Sequence, residues 1–380
     1  MKVLIAPDSF KGSLTALEVA ESIERGIKKV IPGAEIIKVP MADGGEGTVR
    51  SLVDATGGEI VYEEVTGPLG DKVKACYGLL GSGETAVIEM ATASGLPLVP
   101  PEQADPGKTT TYGTGELIKA ALDKGVKELI IGIGGSATND GGMGMAQALG
   151  VSFRDSRGRE LGSGGIELAR LEKIDLSALD SRIKGVDIKV ACDVNNPLYG
   201  PDGAAYVYAP QKGADPEMVE ELDRNLKHFA IIVKRELGID LQSIPGAGAA
   251  GGLGAGLVAF TGAELRSGVE IVMEANHFTD KLNGVDLVIT GEGKIDGQTI
   301  TGKTPIGVAR KAKERGIPVI GIAGTLGDDA DLVLEEGIDA IFSIMERPVT
   351  LKEALKYTET WLESTAASIM RLIKNISHFY

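Results

Sequence analysis

The sequence of 380 residues is poor in cysteine, histidine and aromatic residues, and it has no long basic run. Its two cysteines, Cys76 and Cys192, are too few for a disulfide framework or a cysteine-based zinc site. Its three histidines, His228, His277 and His378, share no spacing, which favours solvated or packing roles over catalysis. Aromatic residues make up only 4% of the chain, so stacking platforms for nucleic-acid bases are not expected.

Charge and hydropathy exclude further classes of protein. The formal net charge is −15, which weighs against a surface for nucleic acid or anionic membranes. The apolar run at residues 3–6 is too short for a signal-peptide core, and no stretch of about 18 uncharged apolar residues occurs. We therefore expect a soluble, reduced, cytoplasmic protein, with a homo-oligomer left open. Small anionic ligands stay compatible with this composition, because backbone N–H groups can make a pocket locally positive.

Glycine, by contrast, is abundant. The chain has 53 glycines, about 14% of its residues against a usual value of about 7%. No collagen-like period accompanies them. The glycines are therefore expected in tight loops or where the backbone approaches a ligand closely.

Strands and helices alternate at both ends of the chain. Residues 3–6 predict a buried strand and residues 15–30 an amphipathic helix, and a second strand–helix pair follows. The alternation returns from residue 286 to a final helix over 351–373, whereas residues 59–90 predict three strands without a helix. This pattern predicts an α/β fold: a doubly wound, Rossmann-like parallel sheet built from both chain ends, with an inserted mixed α/β domain.

The same pattern predicts the domain boundaries. Residues 1–58, 108–150 and 284–380 are expected to form the Rossmann-like domain, and 59–107 with 151–283 the inserted one. The segment 108–150 fits either domain, and its buried strand favours the first. Ligands of such sheets bind beyond the carboxyl ends of the strands, and in two-domain chains also between domains.

One glycine loop matches the phosphate-binding P-loop pattern, from Gly297 to Gly302-Lys303-Thr304. Its context differs from that of a P-loop, since the preceding strand is expected to end near Thr290 and a proline follows at once. Lys303 is nevertheless expected at a helix N-terminus, where free N–H groups favour an anion. The alternative is a solvated lysine in a helix cap.

Two further loops match the dinucleotide fingerprint, from Gly132 and from Gly246. The first follows a strand, but residues 139–142 interrupt the place where its helix should begin. The second follows no convincing strand, so close packing or a phosphate-binding nest is the expected role. The polar residues of the first loop are Ser136, Thr138 and Asn139. Together the three loops indicate a polyphosphate or a phosphorylated substrate, and tight turns are the alternative.

Charged residues follow several predicted strands. They are Asp8 and Lys11, then Asp43 and Glu46, then Asp193, and finally Glu292, Lys294 and Asp296. Parallel strands end at one edge of a sheet, where active sites lie. Carboxylates with lysines at such an edge suit a magnesium-nucleotide and an anionic substrate. For Asp43 the alternative is a simple helix N-cap.

Four runs in this order resemble the bacterial glycerate kinase family, the type with two different α/β domains. The runs are residues 6–12 (APDSFKG), 42–48 (ADGGEGT), 132–142 (GIGGSATNDGG) and 290–296 (TGEGKID). The resemblance covers essentially the whole chain, and the motifs show no departure. It implies ATP-dependent phosphorylation of D-glycerate with magnesium, with 2-phosphoglycerate as the expected product.

The roles within this site are physical inferences. The expected catalytic residues are Asp193, Lys11, Lys294 and Asp296. The expected substrate- and nucleotide-binding residues are Asp8, Ser9, Gly134, Gly135, Ser136, Thr138, Asn139, Asp140 and Lys303. Asp43 and Glu46 are expected to hold magnesium through waters, and Asp193 to orient or deprotonate the attacking hydroxyl.

Two other classes of function stay open from the residues alone. An NAD-dependent hydroxy-acid dehydrogenase would need a dinucleotide fingerprint that opens a helix, and this is missing after Gly132. A non-catalytic small-anion-binding protein would not need several carboxylates at strand ends.

Overall fold

The structure is a computed structural model that describes residues 1–376. Its strands are β1 (Lys2–Pro7), β2 (Glu35–Lys38), β3 (Glu59–Thr66), β4 (Lys72–Leu79), β5 (Thr85–Glu89), β6 (Glu128–Gly132), β7 (Ser152–Arg154), β8 (Lys173–Asp175), β9 (Asp187–Ala191), β10 (Glu264–Arg266), β11 (Leu287–Ile295), β12 (Val319–Leu326) and β13 (Ala340–Ser343). Its α-helices are α1 (Ala16–Val30), α2 (Thr48–Thr56), α3 (Ala91–Ser94), α4 (Tyr112–Asp123), α5 (Met143–Ala148), α6 (Ala204–Tyr208), α7 (Pro216–Leu237), α8 (Ala249–Thr261), α9 (Gly268–Ala275), α10 (Phe278–Lys281), α11 (Thr304–Lys313) and α12 (Leu351–Ile376). Within these residues no helix combines the length and the apolar character needed to cross a membrane.

The chain divides into two compact units. Unit 1 contains Met1–Asp43, Arg50–Gly57 and the described chain from Val269 onwards, and unit 2 contains Gly44–Val49 and Gly58–Gly268. Each unit has its own sheet. The predicted α/β class, with one domain built from both chain ends and a second inserted between them, is confirmed.

Unit 1 is built on five parallel strands in the order β13-β12-β11-β1-β2. This is the 2-1-3-4-5 order of a doubly wound sheet, which changes direction between β1 and β11. The central strands are apolar and buried along nearly their whole length, as parallel strands covered on both faces must be. Polar groups that follow β1 and end β11 therefore lie at the switch point of the sheet.

Helix α1 covers this sheet, and its start is fixed by the sequence. Thr15 caps the helix: its hydroxyl oxygen accepts from the Glu18 N–H at 3.3 Å, and the Glu18 carboxylate accepts from the Thr15 N–H at 2.8 Å. The helix packs on α12, and a Cβ at Gly26 would overlap the backbone carbonyl oxygen of Glu363. Glycine at this position permits the close approach of the two helices.

Unit 2 contains a mixed sheet in the order β10-β9-β6-β5-β4-β3. Strands β3, β4 and β5 form the predicted antiparallel meander, and β5, β6, β9 and β10 run parallel. Their buried side chains form one core with α4 and α8, including Tyr77, Ile88, Leu117, Leu129 and Leu253. The loop from Ile133 to Gly142 follows β6 at the carboxyl edge of these parallel strands.

The structure differs from the expected domain boundaries in three places. Gly44–Val49 and Gly58, expected in the Rossmann-like domain, lie in unit 2. The segment 108–150 lies in unit 2, because β6 pairs with β5 on one side and β9 on the other. The segment from Val269 to 283, expected in the inserted domain, lies in unit 1. A buried parallel strand has the same apolar pattern in either sheet, so the pattern could not assign the segment 108–150.

Strand β11 also runs further than expected, to Ile295 rather than to Thr290. The loop with the P-loop pattern therefore follows the strand directly, and α11 begins at Thr304 after it. The backbone N–H groups of Gly297, Thr299 and Thr301 donate to carbonyl oxygens within unit 1. These three N–H groups are used inside the protein and are therefore not free to cradle a phosphate.

Candidate active site

Unit 1 has a pocket of about 600 Å³ near the switch point of its sheet, a volume usual for small-molecule sites. Its charged wall comes from the residues after β1 and β2, from β11 and from the start of α11: Asp8, Lys11, Asp43, Glu292, Lys294 and Lys303. Its apolar wall comes from the residues after β13 and from α12: Ile344, Met345, Val349, Leu351, Ala354, Leu355 and Trp361. Ser9 also lines the pocket. The pocket thus brings together six of the predicted site residues: Asp8, Ser9, Lys11, Asp43, Lys294 and Lys303.

Asp8 is the most buried acid of the charged wall, with 8% of its surface exposed. Its carboxylate accepts a hydrogen bond from the Thr304 hydroxyl at 2.9 Å and one from the Ser9 N–H at 2.6 Å. Burial, with the nearby Asp43 carboxylate, raises the pKa of Asp8 to about 6. Such an acid can exchange a proton near neutral pH.

Glu292 lies on β11 in the same wall. Its carboxylate accepts from the Thr299 hydroxyl at 2.6 Å and lies 3.9 Å from the Lys303 ammonium. Burial raises the pKa of Glu292 to about 7, and the charges of Asp8 and Asp43 act in the same direction. Negative charges that raise the pKa values of Asp8 and Glu292 in this way favour a cation beside them.

Lys294 and Asp296 form an ion pair at 2.9 Å, in which the lysine is mostly exposed. The Asp296 carboxylate also accepts from the Gln298 N–H at 2.9 Å. The hydrogen bond from Lys294 lowers the pKa of Asp296. Lys294 reaches the pocket, whereas Asp296 holds the lysine and the following turn. Asp296 does not line the pocket, and its expected catalytic role stays a prediction.

Asp43 does not cap a helix, because α2 begins five residues later at Thr48. The carboxylate of Glu89, in unit 2, contacts the first turn of α2 and accepts a hydrogen bond from the Val49 N–H at 2.8 Å. Burial raises the pKa of Glu89. Glu46 is an exposed residue of unit 2 whose charge acts on Glu89. Asp43 and Glu46 thus belong to different units, and their expected pairing on one metal stays a prediction.

A buried lysine that the sequence did not indicate contacts the glycine-rich loop of unit 2. The Lys212 Nζ donates to the Ser136 Oγ and to the Thr138 carbonyl oxygen, both at 2.7 Å. Only 2% of Lys212 is exposed, and burial lowers its pKa to about 7 although Asp140 opposes the shift. Gly134 and Gly135 remain exposed at the surface of the loop.

Asp140 shapes this loop. It is fully buried, and its carboxylate accepts from the N–H and hydroxyl of Thr111 and from the N–H groups of Gly142 and Gly144. These hydrogen bonds hold the loop in place, and the expected contact of Asp140 with a ligand stays a prediction. The neighbouring Asn139 is fully buried, and neither polar atom of its amide has a hydrogen-bond partner. A polar ligand or a water molecule would supply those hydrogen bonds.

Helix α5 begins only at Met143, so the dinucleotide fingerprint opens no helix here.

The third glycine motif serves close packing. At the start of α8, Gly251 has a φ of +67°, and a Cβ there would overlap the Thr138 carbonyl oxygen. Its own carbonyl oxygen accepts from the Gly141 N–H at 3.1 Å. The motif from Gly246 therefore holds the loop after β6 against α8.

Asp193 follows β9 in unit 2 and is exposed. Its carboxylate accepts from the Gly268 N–H at 3.0 Å. Asn196 does not hold this carboxylate, since its side chain bonds to the Asp202 carbonyl oxygen and to the Tyr208 hydroxyl. The geometry leaves Asp193 accessible to a substrate hydroxyl.

His228 and His277 do not line the pocket of unit 1. The His228 Nε2 lies 2.7 Å from the Leu171 carbonyl oxygen, and His277 begins α10 with a φ of +49°. His378 lies outside the described residues.

The carboxylates of the charged wall are the candidate metal ligands of unit 1. Within residues 1–376 no group of three or more His, Cys, Asp or Glu side chains is arranged to hold a metal ion by itself. Magnesium in nucleotide sites takes one or two carboxylates and completes its shell with phosphates and water. The charged wall fits such a shared site, because Asp8, Asp43 and Glu292 line one pocket and the pKa values of Asp8 and Glu292 are raised there.

Two groups of the site escaped sequence reasoning. Lys212 lies in a short turn with no motif around it, and only its burial distinguishes it. Thr304, which donates to Asp8, could have been found, because it is the last residue of the P-loop-like match.

The chain is similar to known proteins over nearly its whole length. A family model described as the glycerate kinase family matches residues 3–374. Glycerate kinases of Haemophilus influenzae and Bacillus subtilis are 57% and 56% identical over 98% of this chain, covering 99% and 98% of those proteins. The glycerate 2-kinase of Escherichia coli is 55% identical over 94% of this chain and 93% of its own. A solved structure from Salmonella typhimurium LT2, described provisionally as a glycerate kinase 2, covers all of both chains at 53% identity with a TM-score of 0.92. The chain belongs to the glycerate kinase family.

Proposed function

We propose that this protein phosphorylates D-glycerate with ATP and releases 2-phosphoglycerate and ADP. The observation that carries the proposal is the charged wall of unit 1, which places three lysines beside three acids in one pocket. The name of the E. coli relative, a glycerate 2-kinase, supports the 2-hydroxyl as the acceptor.

The reaction is a direct phosphoryl transfer. The glycerate hydroxyl oxygen forms a bond to the γ-phosphorus of ATP, the bond from that phosphorus to the ADP oxygen breaks, and the hydroxyl proton passes to a carboxylate. Catalysis of such a step rests on positioning and on stabilising charge at the phosphate oxygens. We assign Lys11, Lys294 and Lys303 to the phosphates, because ammonium groups offset the charge that develops there.

When bound, magnesium would supply charge neutralisation between the phosphates. Asp8, Asp43 and Glu292 are the residues that would hold it, together with the nucleotide. The raised pKa values of Asp8 and Glu292 support this assignment, because a cation beside them favours their ionised forms. Glu46 stays a second candidate in unit 2.

Two carboxylates are candidates for the proton acceptor. Asp193 is exposed at a strand end, as the sequence predicted. Asp8, whose pKa burial raises to about 6, is the second candidate, in a site where Asp43 and Glu292 alone hold the magnesium, because a cation bound to Asp8 would lower that pKa. The loop with Ser136, Thr138 and Asn139 is proposed to bind glycerate or a phosphate. The acidic composition weighs against a nucleic-acid partner.

Three mixtures test the proposal: the protein with ATP and magnesium, with D-glycerate added, and with NAD in place of ATP. We expect ADP only when ATP, magnesium and D-glycerate are all present, loss of turnover with EDTA, and its return with excess magnesium. Phosphorus NMR of the product distinguishes 2- from 3-phosphoglycerate. ADP release that ignores glycerate, or NADH formation, would contradict the proposal.

A further inference from the structure

The apolar wall of the unit 1 pocket has no role in binding phosphate or glycerate. Its residues follow β13 or lie on α12, whereas the lysines and acids come from β1, β2, β11 and α11. Glycerate is a small polar acid and offers no apolar surface. The pocket as a whole therefore suits a ligand that joins a polyanion to an apolar ring.

The sequence of α12 explains this wall. Leu351, Ala354, Leu355, Thr358 and Trp361 follow the helical spacing that places residues on one face. Further along the helix, Leu362, Ala366 and Met370 enter the core with α1 and the sheet. The start of the helix thus continues an apolar face beyond the point where the core of unit 1 can cover it.

The uncovered part of this helix face consists of exposed leucine side chains at the start of α12. Leu351 is 76% exposed and Leu355 is 37% exposed, although both line the pocket. Large exposed apolar side chains beside a cavity are a mark of a ligand site. Trp361 lies deeper, only 4% exposed, and its ring is stacked on Tyr357 with centroids 5.4 Å apart.

We infer that unit 1 holds the complete nucleotide, with the adenine ring against the apolar wall and the triphosphate at Lys11, Lys294 and Lys303. The inference rests on the proposed function for the choice of ATP. Beyond the proposed function, it assigns the nucleotide to unit 1 and the adenine base to the apolar wall.

The single tryptophan of the chain makes a direct test. ATP and ADP are titrated into the full-length protein while the emission of Trp361 is followed, and calorimetry measures binding in parallel. We expect a saturable change in emission with both nucleotides, with the same dissociation constant by the two methods. Inorganic tripolyphosphate should displace ATP and return the emission to that of the free protein, because it has no ring.

A matched pair of variants locates the base. Leu355→Asn places a polar side chain in the apolar wall, and Leu372→Asn makes the same change at a 56% exposed position of α12 that does not line the pocket. We expect Leu355→Asn to weaken ATP binding at least about tenfold, equivalent to about 1.4 kcal/mol, while tripolyphosphate binds as before. Leu372→Asn should bind both ligands as the wild type does.

The outcomes separate this inference from the proposed function. ATP binding by calorimetry without a change in Trp361 emission, or equal ATP affinity of the two variants, would overturn the placement of the base even if the enzyme phosphorylates glycerate. A loss of tripolyphosphate affinity in Leu355→Asn would also overturn it, since the polyanion would then contact this wall. A Trp361 response and a selective effect of Leu355→Asn would support it even if glycerate were not phosphorylated.

Discussion

Asp8 is held in the folded protein at a cost that depends on pH, and Asp8→Asn should remove this cost. The asparagine has nearly the same shape as the aspartate. Its amide oxygen can accept from the Ser9 N–H, and its amide group can donate to the Thr304 hydroxyl, which now accepts. Both hydrogen bonds are thus kept, and only the ionisable group is lost.

The magnitude follows from the shift in pKa. Burial raises the pKa of Asp8 from 3.8 to about 6, and each pKa unit corresponds to about 1.4 kcal/mol. Because the folded-state pKa lies above the unfolded-state value, the folded protein binds the proton more tightly. Stability is therefore lost as the pH rises from about 4 to about 7, by about 3 kcal/mol in all, with roughly half of the loss complete at pH 5. The asparagine variant should not show this loss.

Urea unfolding at pH 5 and pH 8, followed by the emission of Trp361, measures the effect within unit 1, where both residues lie. We expect Asp8→Asn to gain stability relative to the wild type between pH 5 and pH 8, by about 1.5 kcal/mol. Asp331→Asn, an exposed aspartate of the same unit, should show no such gain. Turnover of Asp8→Asn should fall by about 10²-fold or more if Asp8 accepts the proton.

Two results would refute this reasoning. Equal destabilisation of Asp8→Asn at both pH values would mean that Asp8 is ionised in the folded protein and serves as a structural acceptor for Thr304 and Ser9. A stability difference that grows in the opposite direction, with the variant weaker at pH 8, would mean that a neighbouring cation lowers the pKa of Asp8 instead.

Three further changes test the remaining site assignments. Lys11→Ala should lower turnover or substrate affinity at least about tenfold and leave the melting temperature unchanged, because a charge-assisted bond to an anion is worth about 1.5–3 kcal/mol. Lys352→Ala, at an exposed lysine, is the control. Equal kinetics of the two variants would mean that Lys11 is only a solvated lysine. Asp193→Asn should lower kcat by about 10²-fold or more with ATP affinity unchanged, whereas recovery of the variant at high magnesium would identify Asp193 as a metal ligand. Lys212→Met removes the hydrogen bonds to the Ser136 hydroxyl and the Thr138 carbonyl oxygen, and it should raise the KM for glycerate more than the KM for ATP. Equal changes in both KM values would show that Lys212 supports only the fold.

Local patterns predicted much of the fold. The apolar runs of β1 and β11 and the helical spacing of α1 and α7 are visible in the sequence, because a buried parallel strand and an amphipathic helix each impose their own period. The capping box at Thr15 likewise sets the start of α1 from residues three apart. The end of β11 was placed too early, because the glycines and charges after Thr290 look like a loop although they continue the strand.

The candidate site was predicted in part. Strand ends identified Asp8, Lys11 and Lys294, which meet in one pocket of unit 1. The carboxyl ends of parallel strands share one edge, so the sequence could place these residues together without the structure. The functional class followed from four motifs in order, and the family comparisons agree with it.

The sequence alone therefore determined the elements, the α/β class and the charged residues at strand ends, since each depends on neighbours within a few positions. Tertiary structure alone decided that β6 joins the sheet of unit 2, that Lys212 is buried beneath the loop with Ser136, and that α12 gives its first turns to a pocket. These features depend on contacts between residues far apart in the chain. Burial, and with it the raised pKa of Asp8 and the lowered pKa of Lys212, comes from all the surrounding atoms, and no local pattern encodes it.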